Sequence, residues 1–305
     1  DVYKRQIFSL PDKRGMIKDI LEFNGSESMM ALKKVLTIAG SDTSAGAGMQ
    51  ADLKTFQELD TYGMVALTSI VTMDKETWSH DVTPLDMDVF EKQLQTAISI
   101  GPDAIKKGML GTEEIIKRAG EAFEESGAKY FVVDPVMVCK GEDEVLNPGN
   151  TDAMIKYLLP KATVVTPNLF EAGQLSGLGK LTSIEDMKEA AQKIYDAGTP
   201  HVIIKGGKAL DQDKSYDLYY DGQTFYQLTT DMFQQSYNHG AGCTFAAATT
   251  AYLANGKSPK EAVIAAKAFV ASAIKNGWKM NDFVGPVDHG AYNRIEHIDV
   301  DVTEV

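Results

Sequence analysis

Short apolar runs that end in glycine or a polar residue recur along most of the chain. Residues 33–39 form an apolar, β-rich run that ends at Gly40, and residues 64–73 form a second run of this kind. Residues 49–59, between them, have apolar positions at helical spacing. Continuous apolar strands that alternate with helices are typical of a parallel sheet covered on both faces. The pattern therefore predicts an α/β fold with one mostly parallel sheet.

The alternation continues towards the carboxyl end. The predicted helices are one over 86–100, one capped by Thr112, and one from Ser183 to Gly198. The predicted strands lie at 104–105, before a turn at 108–111, and at 130–138, 162–166 and 201–205. Asp221-Gly222 separates two strand-like runs and predicts a hairpin, which adds a small antiparallel part to the sheet. Ser258 to Glu261 is a capping box with proline at the first helical position, and Gly277 is expected to close that helix.

The first 29 residues differ from the rest of the chain. They mix charges with lone apolar residues and have no stable period, whereas strand-like sequence starts only after Met29-Met30. We expect residues 1–29 to be a leader outside the fold, with the true start at one of these methionines. No low-complexity linker divides residues 30–305, so we expect a single domain there.

Charge and cysteine content narrow the class of protein. A net charge of −13 argues against a nucleic-acid partner and against binding to anionic membrane surfaces. No apolar run in the sequence approaches the length of a membrane span. The two cysteines, Cys139 and Cys243, are too few and too far apart for a disulfide framework, so we expect a cytoplasmic protein.

The segment Gly240-Ala241-Gly242-Cys243 runs directly into a helix of small residues. Unpaired N–H groups and the positive dipole end at a helix start favour an anion, and glycine lets a phosphate approach the backbone. A cysteine at such a position is expected to have a lowered pKa. The segment indicates phosphoryl chemistry, and the alternative is a plain turn before a buried helix.

The loop between the first strand and its helix has two interpretations. Gly46-x-Gly48-x-x-Ala51 matches the loose dinucleotide fingerprint, and Asp74 follows the second strand, so a dehydrogenase is the alternative. However, Asp42 places a negative carboxylate in this loop, and a carboxylate would repel the negative pyrophosphate of a dinucleotide. The sequence also contains no P-loop motif.

Three more polar sites follow predicted strands. Asp134 ends one strand, Asn168 and Glu171 follow the next, and Lys205 ends a third. Two oxygen ligands three residues apart in an opening helix suit Mg²⁺, although the same pair also fits a plain capping box. Lys205 either binds a phosphate or is a solvated charge at the end of its strand. Because these sites and the two glycine-rich segments share one predicted sheet edge, we predict a phosphotransferase.

Together the motifs resemble a known family. The segments AGSDTSAGAGMQADLKTF, GML, DPVMVCKG, TPNLFEA, IKGG and HGAGCTFAAA resemble the ribokinase-like vitamin kinases over residues 33–290. This family comprises pyridoxal and pyridoxine kinases and the hydroxymethylpyrimidine (phosphate) kinases of thiamine synthesis. The resemblance implies a three-layer α/β/α sandwich, ATP and Mg²⁺ as cofactors, and a homodimer.

The resemblance also implies roles for individual residues. It implies an anion hole for the transferred phosphoryl group at Gly240, Ala241 and Gly242, with Cys243 as the group that activates the substrate hydroxyl. The implied substrate contacts are Gly40, Asp42, Ala47, Met73, Met109, Val136 and Cys139. The implied nucleotide contacts are Asp134, Asn168, Glu171, Lys205 and Gly207, with Asn168 and Glu171 also holding the metal.

Two features separate the branches of this family. The hydroxymethylpyrimidine kinases usually carry a glutamate after the second strand, and Met73 stands at the matching position here. Residues 137–141 resemble the lid of a Gram-positive-type pyridoxal kinase. We therefore predict ATP-dependent phosphorylation of pyridoxal, pyridoxine or pyridoxamine. The alternatives are a hydroxymethylpyrimidine (phosphate) kinase, a dual-specificity enzyme, and a vitamin-binding sensor without ATP turnover.

Overall fold

The structure is a computed structural model that describes residues 31–109, 111–137, 148–207, 213–233 and 237–305. Its strands are β1 (Lys33–Asp42), β2 (Thr61–Met73), β3 (His80–Pro84), β4 (Ala104–Lys107), β5 (Tyr130–Val133), β6 (Val164–Val165), β7 (His201–Lys205), β8 (Lys214–Tyr220), β9 (Phe225–Asp231) and β10 (Asp301–Glu304). Its helices are α1 (Gly48–Glu58), α2 (Met87–Ile100), α3 (Glu113–Ser126), α4 (Pro148–Tyr157), α5 (Leu169–Ser176), α6 (Ile184–Asp196), α7 (Ala241–Ala254), α8 (Pro259–Lys275) and α9 (Ala291–Arg294).

All the strands join one sheet in the order β10-β9-β8-β7-β6-β5-β4-β1-β2-β3. The central part, from β7 to β2, is parallel, whereas β3 and β8 to β10 are antiparallel. Ile38 pairs with Lys107, which pairs with Val133, so β4 and β5 end at the same level, whereas β1 continues past them to Asp42. In the sheet, β1 lies between β4 and β2, so the chain goes from β1 to its neighbour on one side and later returns to its neighbour on the other. A crevice at the carboxyl ends of β1 and β4 is the place where open α/β sheets bind ligands.

Alternate residues along the strands feed two cores on opposite faces of the sheet. Val132 packs in a core with Phe56 of α1, Phe245 of α7 and Phe269 of α8. The next residue, Val133, packs in the other core, which contains buried side chains of helices α2 to α6. This arrangement confirms the predicted three-layer α/β/α sandwich, because each helix buries its apolar side on one of the two faces.

Residues Lys33–Val305 cluster as one compact unit. In the part of the chain that the structure describes, no helix is both long enough and apolar enough to cross a membrane.

Most predicted elements are present, but their bounds differ. The strand predicted over 130–138 ends at Val133, where Asp134-Pro135 leaves the ladder because proline has no N–H to donate. The strand predicted over 162–166 is only Val164–Val165. The elements that were not predicted are β3, β10, α4 and α9. β10 is exposed at every residue, so it lacks the apolar run by which the other strands are recognised.

Candidate active site

A cavity of about 870 Å³ lies at the carboxyl edge of the parallel strands. Every predicted site residue that the structure describes lines this cavity, as Gly40, Asp42, Ala47, Met73, Met109, Asp134, Val136, Asn168, Glu171, Lys205, Gly207, Gly240, Ala241, Gly242 and Cys243. Cys139, which was predicted to contact the substrate, lies outside the described residues. The expected convergence on one sheet edge is therefore present, whereas the individual roles stay predictions.

The carboxylate of Asp42 organises the loop after β1. Its Oδ1 accepts hydrogen bonds from the Ser44 amide at 2.8 Å and the Ser44 hydroxyl at 2.7 Å. Its Oδ2 accepts from the Ala47 amide at 2.8 Å and lies 2.8 Å from Nε2 of His239. Burial opposes ionisation, but the hydrogen bonds from His239, Ser44 and Ala47 outweigh it and hold the pKa of Asp42 well below its usual range.

This geometry argues against the dinucleotide interpretation of the loop. The amides of Ser44 and Ala47 point at the Asp42 carboxylate, so they do not point at a pyrophosphate. In addition, β2 pairs with β3 in an antiparallel hairpin, and not through the parallel crossover of a dinucleotide-binding half-domain.

The turn before α7 presents the start of a helix to the cavity. Gly240 caps the helix with a φ of 86°, and a Cβ on this residue would lie 1.7 Å from the carbonyl oxygen of Gly46. Gly242 is open towards the cavity, because a Cβ there would meet only Nζ of Lys205, at 3.5 Å. The first amides of α7 and a lysine therefore face the same space, which suits an anion.

The prediction of a lowered cysteine pKa at this helix start is wrong. Cys243 is partly buried at the first turn of α7. Burial raises the pKa of its thiol to about 11, and the positive charge of Lys106 opposes this only in part. The carboxylates of Asp52 and Asp134 raise the pKa further. Desolvation of the sulfur therefore outweighs the effect of the helix start on which the prediction depended.

Two consecutive lysines of β4, one in the cavity wall and one beneath it, were missed in the sequence. Lys106 and Lys107 are both fully buried, on opposite faces of the sheet. Nζ of Lys106 lies 2.8 and 2.9 Å from the two carboxylate oxygens of Asp52, which also accepts a hydrogen bond from Thr37 at 2.6 Å. Although burial alone lowers the pKa of Lys106, the charge of Asp52 outweighs it and raises that pKa. Lys106 is therefore a fixed cation in the cavity wall.

Lys107 lies beneath the carboxylates on the other face. Its Nζ donates to the carbonyl oxygen of Asp134 at 3.0 Å and lies 3.3 Å from the sulfur of Met154. Burial lowers its pKa to about 8, and the charges of Asp134 and Glu171 oppose this shift. Both lysines stand in a short strand that ends at the sheet edge, but the sequence does not show that they are buried, because charged residues are rarely fully buried.

The predicted metal pair is linked as a capping box at the start of α5. Oδ1 of Asn168 accepts from the Glu171 amide at 2.8 Å, and the Asn168 amide donates to Oε1 of Glu171 at 2.9 Å. Burial and the nearby charge of Asp134 raise the pKa of Glu171 to about 7, although Lys205 opposes the shift. Among the residues that the structure describes, no group of three His, Cys, Asp or Glu side chains could hold a metal. The capping interpretation is confirmed, and one oxygen of Glu171 stays outside the box.

The far wall of the cavity contains a buried ion pair that was not predicted. Asp217 accepts from the Gly206 amide at 3.1 Å and from Nζ of Lys267 at 2.9 Å. Nearby, Nζ of Lys205 lies 5.8 Å from the ring centroid of Phe245. The pair supports the glycine segment after β7, where Gly207 has a φ of 55°.

The cavity thus combines three kinds of group. The first group is the start of α7 with the thiol of Cys243 and the side chains of Lys106 and Lys205. These groups suit a phosphoryl group in transfer. Two carboxylates, Asp134 and Glu171, stand on one side. The loop organised by Asp42 stands on the other, with the apolar side chains of Met73 on β2 and Met109 after β4, whereas Val136 lies two residues after Asp134.

Comparisons with known proteins identify the family of this chain. The phosphomethylpyrimidine kinase family profile matches residues 42–288. A provisionally assigned pyridoxine kinase of Staphylococcus epidermidis is 92% identical over 276 residues, which are 90% of this chain and 100% of that protein. Bacillus subtilis pyridoxine kinase is 52% identical over 86% of this chain and 97% of its own length.

A solved structure extends the comparison. The pyridoxal kinase of Staphylococcus aureus in complex with AMP-PCP and pyridoxal superposes with a TM-score of 0.87 at 89% identity. The match covers 90% of this chain and 100% of that one. By the family profile, by identity and by fold, this chain belongs to the phosphomethylpyrimidine kinase family of vitamin kinases, which includes these pyridoxal and pyridoxine kinases.

Proposed function

We propose that this protein transfers the γ-phosphoryl group of ATP to the 5′-hydroxymethyl group of pyridoxal, pyridoxine or pyridoxamine. One observation carries the proposal: a single cavity combines an apolar end, an anion-binding helix start beside Cys243, and a carboxylate pair. The Staphylococcus aureus pyridoxal kinase that binds AMP-PCP and pyridoxal is 89% identical. Such a cavity brings the two substrates together beside positive groups, and positioning with electrostatic stabilisation is most of what phosphoryl transfer requires.

In the proposed mechanism, the amides at residues 240–243 hold the phosphoryl group during transfer. Lys205 is open to the same space, next to Gly242, and neutralises charge on the transferred oxygens. Cys243 orients the substrate hydroxyl and accepts its proton once its own thiol is ionised. Because the thiol has a pKa of about 11, Lys106 is needed to stabilise the thiolate.

We further propose that ATP binds with Mg²⁺ at the carboxylate end. The side chains present fit this ion, because the charge of Asp134 disfavours ionisation of Glu171, and a divalent cation would relieve that repulsion. Asp134 and the oxygen of Glu171 outside the capping box would hold the ion, directly or through water. When bound, Mg²⁺ neutralises charge on the ATP phosphates. Asn168, Lys205 and Gly207 complete the proposed nucleotide contacts.

The vitamin is proposed to contact Gly40, Asp42, Ala47, Met73, Met109 and Val136, with Cys139 of the neighbouring segment. The family profile and a Bacillus subtilis hydroxymethylpyrimidine/phosphomethylpyrimidine kinase that is 40% identical favour the second candidate, phosphorylation of the pyrimidine. Met73 argues against it, because a thioether offers no strong hydrogen bond to a pyrimidine ring.

Steady-state kinetics test the proposal. ATP and Mg²⁺ are held constant while pyridoxal and hydroxymethylpyrimidine are varied in parallel assays, with ADP release as the readout. We expect a larger kcat/KM for pyridoxal. ATP-dependent turnover of the pyrimidine alone would support the second candidate, and binding of vitamin without turnover would support a sensor.

We also propose a cytoplasmic homodimer. The two widely spaced cysteines favour a reducing compartment, and the family resemblance favours a dimer. Light scattering after size-exclusion chromatography tests the oligomeric state, and a mass near the 33.2 kDa of one chain would contradict the dimer.

A further inference from the structure

His239 lies between the two loops of the site and was not among the predicted site residues. Its backbone is fixed on both sides, because its amide donates to the carbonyl of Gly285 at 3.1 Å and its carbonyl accepts from the Val287 amide at 3.2 Å. Its imidazole is buried and forms part of the cavity wall. The side chain is therefore held in a defined direction, towards the loop that follows β1.

The imidazole completes the hydrogen bonding of Asp42. Nε2 of His239 lies 2.8 Å from Oδ2 of Asp42, and an ionised carboxylate only accepts, so Nε2 donates. The three other donors to this carboxylate belong to Ser44 and Ala47, within the loop itself. Among the described residues, His239 thus provides the one hydrogen bond to this carboxylate from outside the loop.

Two glycines allow the loop over residues 40–48 and the turn over residues 239–243 to touch each other directly. A Cβ on Gly46 would lie 2.4 Å from Cδ2 of His239, and a Cβ on Gly240 would lie 1.7 Å from the Gly46 carbonyl oxygen. Interiors packed this closely transmit displacements. A shift of the loop over residues 40–48 therefore displaces the turn over residues 239–243 as well.

We propose that His239 is a positioning residue that holds the loop over residues 40–48 and the turn over residues 239–243 in one fixed register. The inference rests on the proposed function, in which the loop contacts the vitamin and the turn holds the phosphoryl group. The hydrogen bond to Asp42 then sets the distance between the substrate hydroxyl and the transferred phosphorus. A misplacement of about 1 Å in such a geometry costs on the order of 10²-fold in rate.

The test compares His239→Ala, His239→Gln and the wild type. The Gln side-chain amide can donate to Asp42 in place of Nε2, whereas Ala cannot. For His239→Ala we expect kcat/KM for pyridoxal to fall on the order of 10²-fold, with the KM for ATP little changed. We expect His239→Gln to recover most of the loss. His201→Gln is a matched control, because His201 also makes a side-chain hydrogen bond, to Tyr219 at 2.7 Å, but does not line the cavity.

Several results would overturn the inference. Wild-type kinetics for His239→Ala would do so, and so would equal losses in the Ala and Gln variants, which would indicate general damage. If His239→Ala does not fold, a double-mutant cycle of Asp42→Asn with His239→Leu replaces it, because leucine fills the space of the imidazole but cannot donate a hydrogen bond. Additive effects on kcat/KM would then refute the coupling. Failure of the proposed function is distinguishable, because in that case the wild type itself would not phosphorylate pyridoxal.

Discussion

At the scale of single residues, Cys243 carries the clearest consequence for catalysis. Its thiol pKa of about 11 means that the protein holds the proton at neutral pH. If the thiolate is the base, the active fraction rises about tenfold for each pH unit below that pKa. The Cys243→Asp variant carries a carboxyl group, whose unperturbed pKa of about 3.9 lies far below that of the thiol, so its base is ionised at a lower pH.

We therefore predict that the ratio of wild-type to Cys243→Asp kcat/KM rises steadily between about pH 7 and pH 10. The measurement is a pH profile of both variants with the same vitamin, so that titration of the substrate cancels in the ratio. A constant ratio would show that Cys243 does not act as the base, and wild-type turnover in Cys243→Ala would show that the thiol has no role in transfer.

Glu171 titrates near neutral pH and, like Cys243, loses its ionised form as the pH falls. Its pKa of about 7 lies above the usual value, so the carboxylate takes up a proton as the pH falls through 7 and then holds a cation poorly. We predict that Glu171→Gln raises the Mg²⁺ concentration needed for half-maximal activity. We also predict that the wild type loses Mg²⁺ affinity from pH 8 to pH 6 more than this variant does.

Glu261→Gln is the matched control for Glu171. Glu261 closes the same kind of capping box with Ser258 at the start of α8, but it does not line the cavity. Glutamine can replace glutamate in a capping box, so both variants should stay folded. Equal Mg²⁺ titrations for the two variants would leave Glu171 with its capping role alone.

At the scale of elements, buried ion pairs tie helices to the sheet. Lys106 and Asp52 join β4 to α1, and both side chains are fully buried. We predict that Lys106→Met lowers the free energy of unfolding by about 3–5 kcal/mol, because it leaves a buried carboxylate without its cation. Adding Asp52→Leu should restore most of this stability, since an apolar pair needs no partner. Urea denaturation measures both changes.

The control for this pair is Lys279→Met. Lys279 and Asp282 form an exposed pair at 2.7 Å, and exposed pairs contribute about 0–1 kcal/mol. A loss for Lys106→Met no larger than that for Lys279→Met would contradict the assignment of a buried charged pair.

Elements with strong periodicity were predictable from the sequence, whereas elements held by tertiary pairing were not. β1, β7 and the Asp221-Gly222 hairpin follow from apolar runs and turn residues. β10 has no buried residue, and it forms because the edge of β9 is available for pairing. No pattern within residues 301–304 could reveal that edge.

The candidate site divides in the same way. The glycine-rich segments and the polar residues after strands could be placed from the sequence, because parallel strands end at one edge. Lys106, Asp52 and His239 could not, because each depends on a partner distant in the chain. The prediction of a lowered thiol pKa for Cys243 was wrong for a related reason. The burial that raises this pKa arises from packing, which the local sequence does not show.

At the scale of the whole molecule, residues 1–29 remain proposed as a leader outside the catalytic fold. A relative of 276 matched residues is covered completely, although this chain has 305. We predict that deletion of residues 1–28 leaves the melting temperature and kcat within experimental error, because this part of the sequence has no periodic apolar pattern by which it would pack in a core. A loss of several degrees would show that this segment packs on the fold.

The central claim is that the whole cavity is built to phosphorylate a B6 vitamer. The most direct test mixes pyridoxal and hydroxymethylpyrimidine at equal concentration with ATP and Mg²⁺, and mass spectrometry follows both phosphorylated products. Their initial ratio equals the ratio of the two kcat/KM values. We predict that pyridoxal 5′-phosphate predominates and that its formation requires ATP. An excess of hydroxymethylpyrimidine phosphate, or no phosphorylated product at all, would contradict the claim.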